Sequence, residues 1–438
     1  MSGFSYRDGV LHAEGVALPK IAAAVGTPTY VYSAAVLAAN YRAYEQAFGG
    51  QSLGIHFALK ANGNLAVVAL LGSLGAGADI VSLGELKRAQ AAGIPASKIV
   101  FSGVGKTHDE LAAAVKAGVA QINVESEPEL DVLNEVAGAL GRRQRIALRI
   151  NPDVDARTHE KISTGKRGDK FGVAYSDALK VYRRAAGMAG VEPVGLALHI
   201  GSQLIDLTPY KTAYAKVAEL VQELRREGLE VQALDLGGGI GITYKDEAPP
   251  SLDAYANIVF DTVGNLGCRL AIEPGRSIVA TAGVLLSRVV YRKSGGTHDI
   301  LIMDAGMNDL MRPSMYGAYH PIHPVTQPAA DAPLTAIDVV GPVCETGDTF
   351  TRGRMLPPIQ ADDLVVFGAA GAYCSSMSST YNARPLAAEV LVQGDDFDVV
   401  RPRQPIEAMF ADEQIPRWLA TSSQNGLLGL EPAERKRA

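Results

Sequence analysis

Between residues 55 and 273, short β-prone runs alternate with runs of helical period, and this alternation limits what the chain can fold into. The strand-like runs are 55–60, 78–82, 99–102, 121–125, 145–151, 195–200, 233–236 and 270–273. Between them, apolar residues recur on one helical face. Leu111, Ala114 and Val115 do so ahead of a stop at Gly118, and Tyr210, Ala213, Tyr214, Val217, Val221 and Leu224 do so over a longer span. Thr107 with Glu110 three places on reads as a capping box. Eight strand-then-helix units predict an α/β chain of the (β/α)8, TIM-barrel type; an open doubly wound sheet accommodates the same pattern.

After Arg276 the texture changes. Runs 283–292, 299–304, 334–344, 363–367 and 387–393 are strand-like, helical period is scarce, and Gly, Pro and Ser fill the connections. This predicts a second, mostly antiparallel β domain. Runs 9–13 and 29–32 precede the barrel and can join that domain by return of the chain. The expected division is a barrel over 36–276, a β domain from 1–35 with 277–420, and a mobile tail over 421–438.

Composition excludes several classes. The 438 residues are 47% apolar and 20% charged, which is ordinary for a folded chain. A net charge of −6 argues against nucleic-acid binding, while leaving room for a local cationic pocket. The most apolar stretch, 65–78, is broken by Ser73 and several glycines and falls short of the roughly 20 residues that a membrane span needs. Residues 1–10 carry Arg7 and Asp8 and no apolar core of a signal peptide. Three cysteines, Cys268, Cys344 and Cys374, build no disulfide framework and suit a reducing compartment, so a cytoplasmic location is expected. Cys268 reads as a barrel-core residue. Gly105-Lys106-Thr107 imitates a P-loop, but Val100 stands where the motif needs glycine; no His/Cys cluster has zinc spacing.

In a barrel, chemistry gathers at the C-terminal ends of the strands. Those ends carry Lys60, Asp79, His199 with Ser202, the triplet Gly237, Gly238 and Gly239, and Glu273 followed by Gly275 and Arg276. Each has an ordinary reading: a solvated lysine, a packed histidine, a tight turn, a salt-bridge acid. Together they offer an amine for an aldehyde, backbone N–H groups for a phosphate, an acid for a pyridine nitrogen and a flat face for a ring. That is a site for pyridoxal 5'-phosphate.

Longer runs carry a family resemblance. They are Phe57-Ala58-Leu59-Lys60-Ala61-Asn62, Asp79-Ile80-Val81-Ser82 with Gly84-Glu85, Thr164-Gly165, Lys170-Phe171-Gly172 and His199-Ile200-Gly201-Ser202-Gln203. They continue in the run from Asp235 to Gly239, Glu273-Pro274-Gly275-Arg276, Met311-Arg312-Pro313-Ser314-Met315-Tyr316-Gly317-Ala318-Tyr319-His320, Cys344-Glu345-Thr346-Gly347-Asp348 and Tyr373 with Ser376-Met377-Ser378-Ser379-Thr380-Tyr381-Asn382. The chain resembles the barrel-type pyridoxal phosphate-dependent amino-acid decarboxylases, most closely those acting on diaminopimelate. The resemblance implies decarboxylation of meso-diaminopimelate to L-lysine and CO2, the last step of lysine biosynthesis. It implies that Lys60 holds the cofactor as an internal aldimine, that His199 stacks on its ring, and that Glu273 faces its nitrogen with Asp79 nearby. Ser202, Gly237, Gly238, Gly239, Gly275 and Arg276 would hold its phosphate, and Tyr373 would lie beside it. Arg276, Arg312, Tyr316, Glu345 and Tyr373 would bind substrate. Cys344 would donate the final proton, coming with Glu345 from the second subunit of a head-to-tail homodimer. Cys374 matches no family role.

The residues fit that substrate. One amino-acid end reacts while the other must be gripped, by cations for its carboxylate and an acid for its ammonium. A decarboxylase of ornithine, arginine or carboxynorspermidine would not need the Arg312 and Tyr316 grip. A racemase of similar fold tends to set arginine, not an acid, against the ring nitrogen. A partner-binding homologue without activity would usually lose Lys60 or Cys344.

Overall fold

In the computed structural model, described over residues 3–49, 53–155, 164, 165, 168–416, 418 and 419, the eight runs close into a ring. The barrel strands are Leu53–Ala58, Gly77–Ile80, Ile99–Phe101, Gln121–Val124, Gln144–Asn151, Val191–Ala197, Ala233–Asp235 and Arg269–Ile272. Each lies parallel to the next, and the last pairs back on the first through Leu270 to Leu53 and Ile272 to Ile55. Closure leaves no sheet edge, which disposes of the open-sheet alternative. Gly77–Ile80 and Ile99–Phe101 are buried along their whole length, as expected of strands covered on both faces.

The helices follow their local signals. His108–Ala117 starts at Thr107, whose side chain accepts from Glu110 N while the Glu110 carboxylate takes the Thr107 N–H at 3.0 Å; Gly118 ends it at φ 73°. Thr208–Arg226 opens with Pro209 and buries Tyr210, Ala213, Tyr214, Val217, Leu220, Val221 and Leu224 against the barrel. The lysine of the false P-loop, Lys106, is fully buried, 2.8 Å from Glu129 and 2.9 Å from the Asn123 carbonyl, so it fastens a barrel loop and faces no phosphate.

Most barrel strands end one to three residues earlier than the sequence suggests, and this moves Lys60 and His199 off their strands. The first strand stops at Ala58, and Lys60 sits on a single 3-10 turn, Leu59–Ala61; the Ala58 N–H turns to the Pro274 carbonyl at 3.1 Å. The sixth strand stops at Ala197, leaving His199 on the loop above the mouth.

Among the described residues the second sheet has nine strands. Its backbone is Gly283–Ser294, a long strand flanked by Asp299–Met303, Leu364–Phe367 and Thr29–Ser33. Thr29–Ser33 also pairs parallel with Ala388–Gln393, so the early segment lies inside the sheet. Most pairings are antiparallel; that one and Asp299–Met303 with Thr335–Val340 are parallel. Run 9–13 does not join as a strand. Val10–Ala13 forms a small separate sheet with Phe4–Arg7 and Val16–Ala17, and Val10 bridges to Thr326, just past Ile322–Pro324.

The run 334–344 ends as a strand at Val340, because Gly341 and Pro342 open a loop built on Asp348. Strands Ile322–Pro324, Thr349–Leu356 and Asp396–Arg401 carry no clear alternation. Cys268 is half-buried near Arg225 at the start of the last barrel strand, not in the core. Run 421–438 lies outside the described residues. Among the described residues, no helix is long and apolar enough to cross a membrane.

Barrel closure depends on close strand contact at Gly195. A Cβ there would stand 1.9 Å from the Ala233 carbonyl oxygen, a backbone atom with no freedom to rotate away. Gly195→Ala is therefore expected to destabilise the fold by about 1–3 kcal/mol, the usual cost of overpacking. A denaturant midpoint equal to that of the parent would show that the strands separate freely there.

Candidate active site at the barrel mouth

Parallel pairing sets the first contact. Asp79 lies in register beside Ala58, and the turn after Ala58 brings the Lys60 Nζ 3.1 Å from Asp79 Oδ2. Asp79 is fully buried, whereas the Lys60 side chain keeps 36% of its surface open. Burial pulls the Lys60 pKa down, but Asp79, with Tyr373 and Glu273, outweighs it and holds the amine above its ordinary value. Beyond this pair, Glu85 caps the start of helix Leu83–Ala91, accepting from Val81 N at 2.7 Å; burial pushes its carboxyl up to about 7.

Two acids from neighbouring strands meet below the mouth. Glu273 follows the eighth strand and Asp235 ends the seventh. Asn123, on the fourth, donates to Asp235 Oδ2 at 2.9 Å and to Glu273 Oε1 at 3.4 Å. Ser102 Oγ adds a bond to Glu273 Oε1 at 3.3 Å. Burial first, then Asp235 and Asp79, lift the Glu273 carboxyl well above its usual range, with Lys60 opposing. Glu273 therefore favours holding a proton.

His199 faces the same space as a neutral ring. Burial, Lys60 and Arg149 all depress its pKa well below the ordinary value. Its Nδ1 accepts from Gly238 N at 3.2 Å, which puts the ring proton on Nε2. The glycine triplet makes this approach possible. A Cβ at Gly238 would lie 2.2 Å from the Glu273 carbonyl oxygen, and one at Gly239, where φ is +115°, 2.3 Å from the Gly201 carbonyl oxygen. Tyr210 props the loop from below through a bond to the Gly238 carbonyl at 3.1 Å.

A cavity of about 470 Å³ opens above these groups. Lys60, His199, Ser202, Arg276, Arg312, Tyr316 and Tyr373 line it, so the structure gathers seven of the expected residues around one space. Arg276 reaches Tyr244 Oη at 2.7 Å and Ser202 Oγ at 3.1 Å and lies over the Tyr373 ring. Arg312 bonds His320 Nε2 at 2.8 Å and lies over the Tyr244 ring. Both arginines are buried, and among the described residues neither pairs with a carboxylate. Tyr373 takes a left-handed φ of 55°, held by its N–H to the Ala61 carbonyl at 2.8 Å.

Cys344 and Glu345 stand elsewhere. Both are exposed, on a loop that Asp348 fixes by accepting from Met307 N and Val343 N, each at 2.6 Å, and neither lines the cavity. Cys374 is buried behind the arginines, its thiol donating to the Ala372 carbonyl at 3.2 Å; burial pushes its pKa up to about 11 against the pull of Arg312 and Arg276. Sequence reasoning gave no role to Asp235, Asn123, Ser102, Tyr244 or His320. Asp235 and His320 stood inside the quoted runs, but Tyr244 had no local signal.

The arrangement fits pyridoxal phosphate. Asp79 Oδ1 and Arg276 Nε are buried without a partner, and the glycine triplet packs against neighbouring carbonyls too closely for any side chain. An amine, an acid pair, a flat neutral ring and a cationic, hydroxyl-bearing rim match the aldehyde, ring and phosphate of that molecule.

Comparison with known proteins agrees. Residues 34–280 match the family described as pyridoxal-dependent decarboxylase, pyridoxal binding domain. Diaminopimelate decarboxylase of Zymomonas mobilis is 47% identical over 424 residues, spanning 96% of this chain and all of that protein. The crystal structure of diaminopimelate decarboxylase from Helicobacter pylori complexed with L-lysine superposes with a TM-score of 0.87 at 41% identity, over 90% of this chain and 98% of that one. The M. jannaschii enzyme in co-complex with L-lysine gives 0.91 at 37% identity, over 96% and 99%. With a closed barrel, a cofactor-shaped mouth and likeness over nearly its whole length, the chain belongs to the diaminopimelate decarboxylases of the pyridoxal-dependent decarboxylase family.

Proposed function

We propose that this enzyme removes one carboxylate from meso-diaminopimelate and releases L-lysine and CO2. One observation supports the substrate above others. Arg276 and Arg312 are buried cations at the cavity wall with no acid of the described chain to neutralise them. Buried charge without a partner is costly, so the site favours a ligand set that supplies anions. A phosphate beside Ser202 and Arg276, and a carboxylate beside Arg312 and Tyr316, meet that demand. Ornithine or arginine would instead present an ammonium or guanidinium to Arg312.

Pyridoxal phosphate, when bound, supplies an aldehyde for amines and a ring that accepts the electron pair left as CO2 departs. Lys60 would hold it covalently and His199 would lie against its face. Ser202, Arg276, Gly275 and Gly239 would receive its phosphate, whereas the N–H groups of Gly237 and Gly238 are taken by Asp235 and His199. Glu273, whose carboxyl burial lifts well above its usual range, would offer its proton to a basic ring nitrogen. Asp79 keeps Lys60 cationic until that amine is required to give up its proton. Tyr373 orders Arg276 from above.

The last step needs a proton on the carbon that lost its carboxylate. Cys344 is an exposed thiol on a rigid loop outside the cavity of its own chain, which suits donation into the site of a second subunit. The partner subunit's Glu345 would take the distal ammonium. In this reading the enzyme is a head-to-tail homodimer working in the cytoplasm, where the Cys344 thiol stays reduced.

Three measurements test this reading. Mass spectrometry after incubating the cofactor-loaded enzyme separately with meso-diaminopimelate, ornithine and arginine should find lysine and CO2 from the first alone; turnover of either other amino acid would refute the substrate assignment. Arg312→Ala should raise KM for diaminopimelate roughly 10- to 150-fold, the equivalent of about 1.5–3 kcal/mol for a lost charged hydrogen bond, with cofactor still bound. An unchanged KM would remove Arg312 from substrate recognition. Mixing inactive Lys60→Ala and Cys344→Ala subunits should restore roughly a quarter of parental activity, since half of randomly paired dimers then hold one intact shared site. No recovery after verified subunit exchange would place Cys344 in its own chain's site or outside the reaction.

A further inference from the structure

Arg312 is buried, cationic and without an acidic neighbour among the described residues, so something else must fix its direction. We propose that His320 is the positioning residue for Arg312: a neutral imidazole that aims the guanidinium into the cavity without cancelling its charge. This rests on the reading that Arg312 receives the distal carboxylate.

The partners of His320 settle its tautomer. Nδ1 lies 2.9 Å from the Gly368 carbonyl oxygen, which can only accept, so Nδ1 carries the proton. Nε2 lies 2.8 Å from Arg312 Nη1, which can only donate, so Nε2 presents its lone pair. A protonated ring would lose that bond and set two cations together. Burial and Arg312 push the His320 pKa down to about 3, which agrees with the geometry.

The ring is itself held. Its own carbonyl accepts from Arg354 Nη1 at 2.5 Å, and the Gly368 N–H returns to the Pro321 carbonyl at 2.8 Å. Tyr244 meets the imidazole edge to face at 5.5 Å between centroids and carries Arg312 at 4.6 Å over its own ring. Arg312 is thus gripped by a lone pair at one edge and a π face on one side. A carboxylate in the place of His320 would hold the guanidinium more strongly, but would satisfy the charge that substrate must satisfy. The imidazole orients and leaves the charge unspent.

The test compares near-isosteric variants of the cofactor-loaded enzyme with diaminopimelate as substrate. His320→Gln keeps an acceptor for Arg312 and should leave KM within about threefold of the parent. His320→Glu keeps an acceptor but adds a negative charge, and should raise KM at least about tenfold, with kcat near parental and the visible cofactor absorbance per subunit retained. His320→Ala should also raise KM, and should add nothing in an Arg312→Ala background. Equal KM values for the Gln and Glu variants, or a His320→Ala effect that persists undiminished without Arg312, would overturn the proposal. Both outcomes leave the distal-carboxylate reading intact, which fails separately if Arg312→Ala alone leaves KM unchanged.

Discussion

The pairing of the last barrel strand with the first is the constraint on which the site depends. Leu270 to Leu53 and Ile272 to Ile55 fix the register, and the Ala58 N–H reaches the Pro274 carbonyl just above it. That seam sets the Glu273 loop beside the Lys60 turn. Once it is closed, residues separated by more than 200 positions share one floor. A shift of one residue along the seam would turn every side chain of the strand to the other face. The glycines at 195, 237, 238 and 239 serve the same closure, since each lies where a neighbouring backbone leaves no room for a methyl group.

Around the mouth, charge is sorted by depth. Acids collect below, where Asp235 and Glu273 share Asn123 as a donor, and burial, reinforced by Asp235, favours a proton on Glu273. Cations collect at the wall, where Arg276 and Arg312 are held by hydroxyls, an imidazole and aromatic faces and by no acid among the described residues. Neutral rings stand between. The protein holds its cations with neutral groups, so the anions of cofactor and substrate complete the electrostatics.

Much of the barrel is legible locally. Each of its strands announces itself as a short apolar run, and Thr107 with Glu110 or the Tyr210-to-Leu224 stripe mark helices through interactions within a few residues. The second sheet is harder because its pairings are remote. Thr349–Leu356 carries Arg352, Gly353 and Arg354 along its length, and only its neighbours make it a strand. The site divides in the same way. Lys60, His199 and Glu273 can be found because strand ends in a barrel are a known address. The supports of Arg312 cannot, because Tyr244 lies 68 positions before it and meets it only after the barrel and second sheet have packed. His320 is only eight positions away, yet its role depends on the Gly368 carbonyl across the sheet.

Thr29–Ser33 lies fully buried between Gly283–Ser294 and Ala388–Gln393. During synthesis this segment emerges well over 300 residues before its parallel neighbour. The barrel has all its strands by Ile272 and can assemble while Tyr30, Val31 and Tyr32 still lack their sheet. The nascent chain therefore carries an apolar strand that stays without its partners until Gly283–Ser294 and Ala388–Gln393 have been made. Large sequence separation between its contacts also slows the final docking, because loop entropy is lost before those contacts form. Completion of the second sheet is thus a late event in the folding of this chain, and Thr29–Ser33 stays unpaired until it occurs.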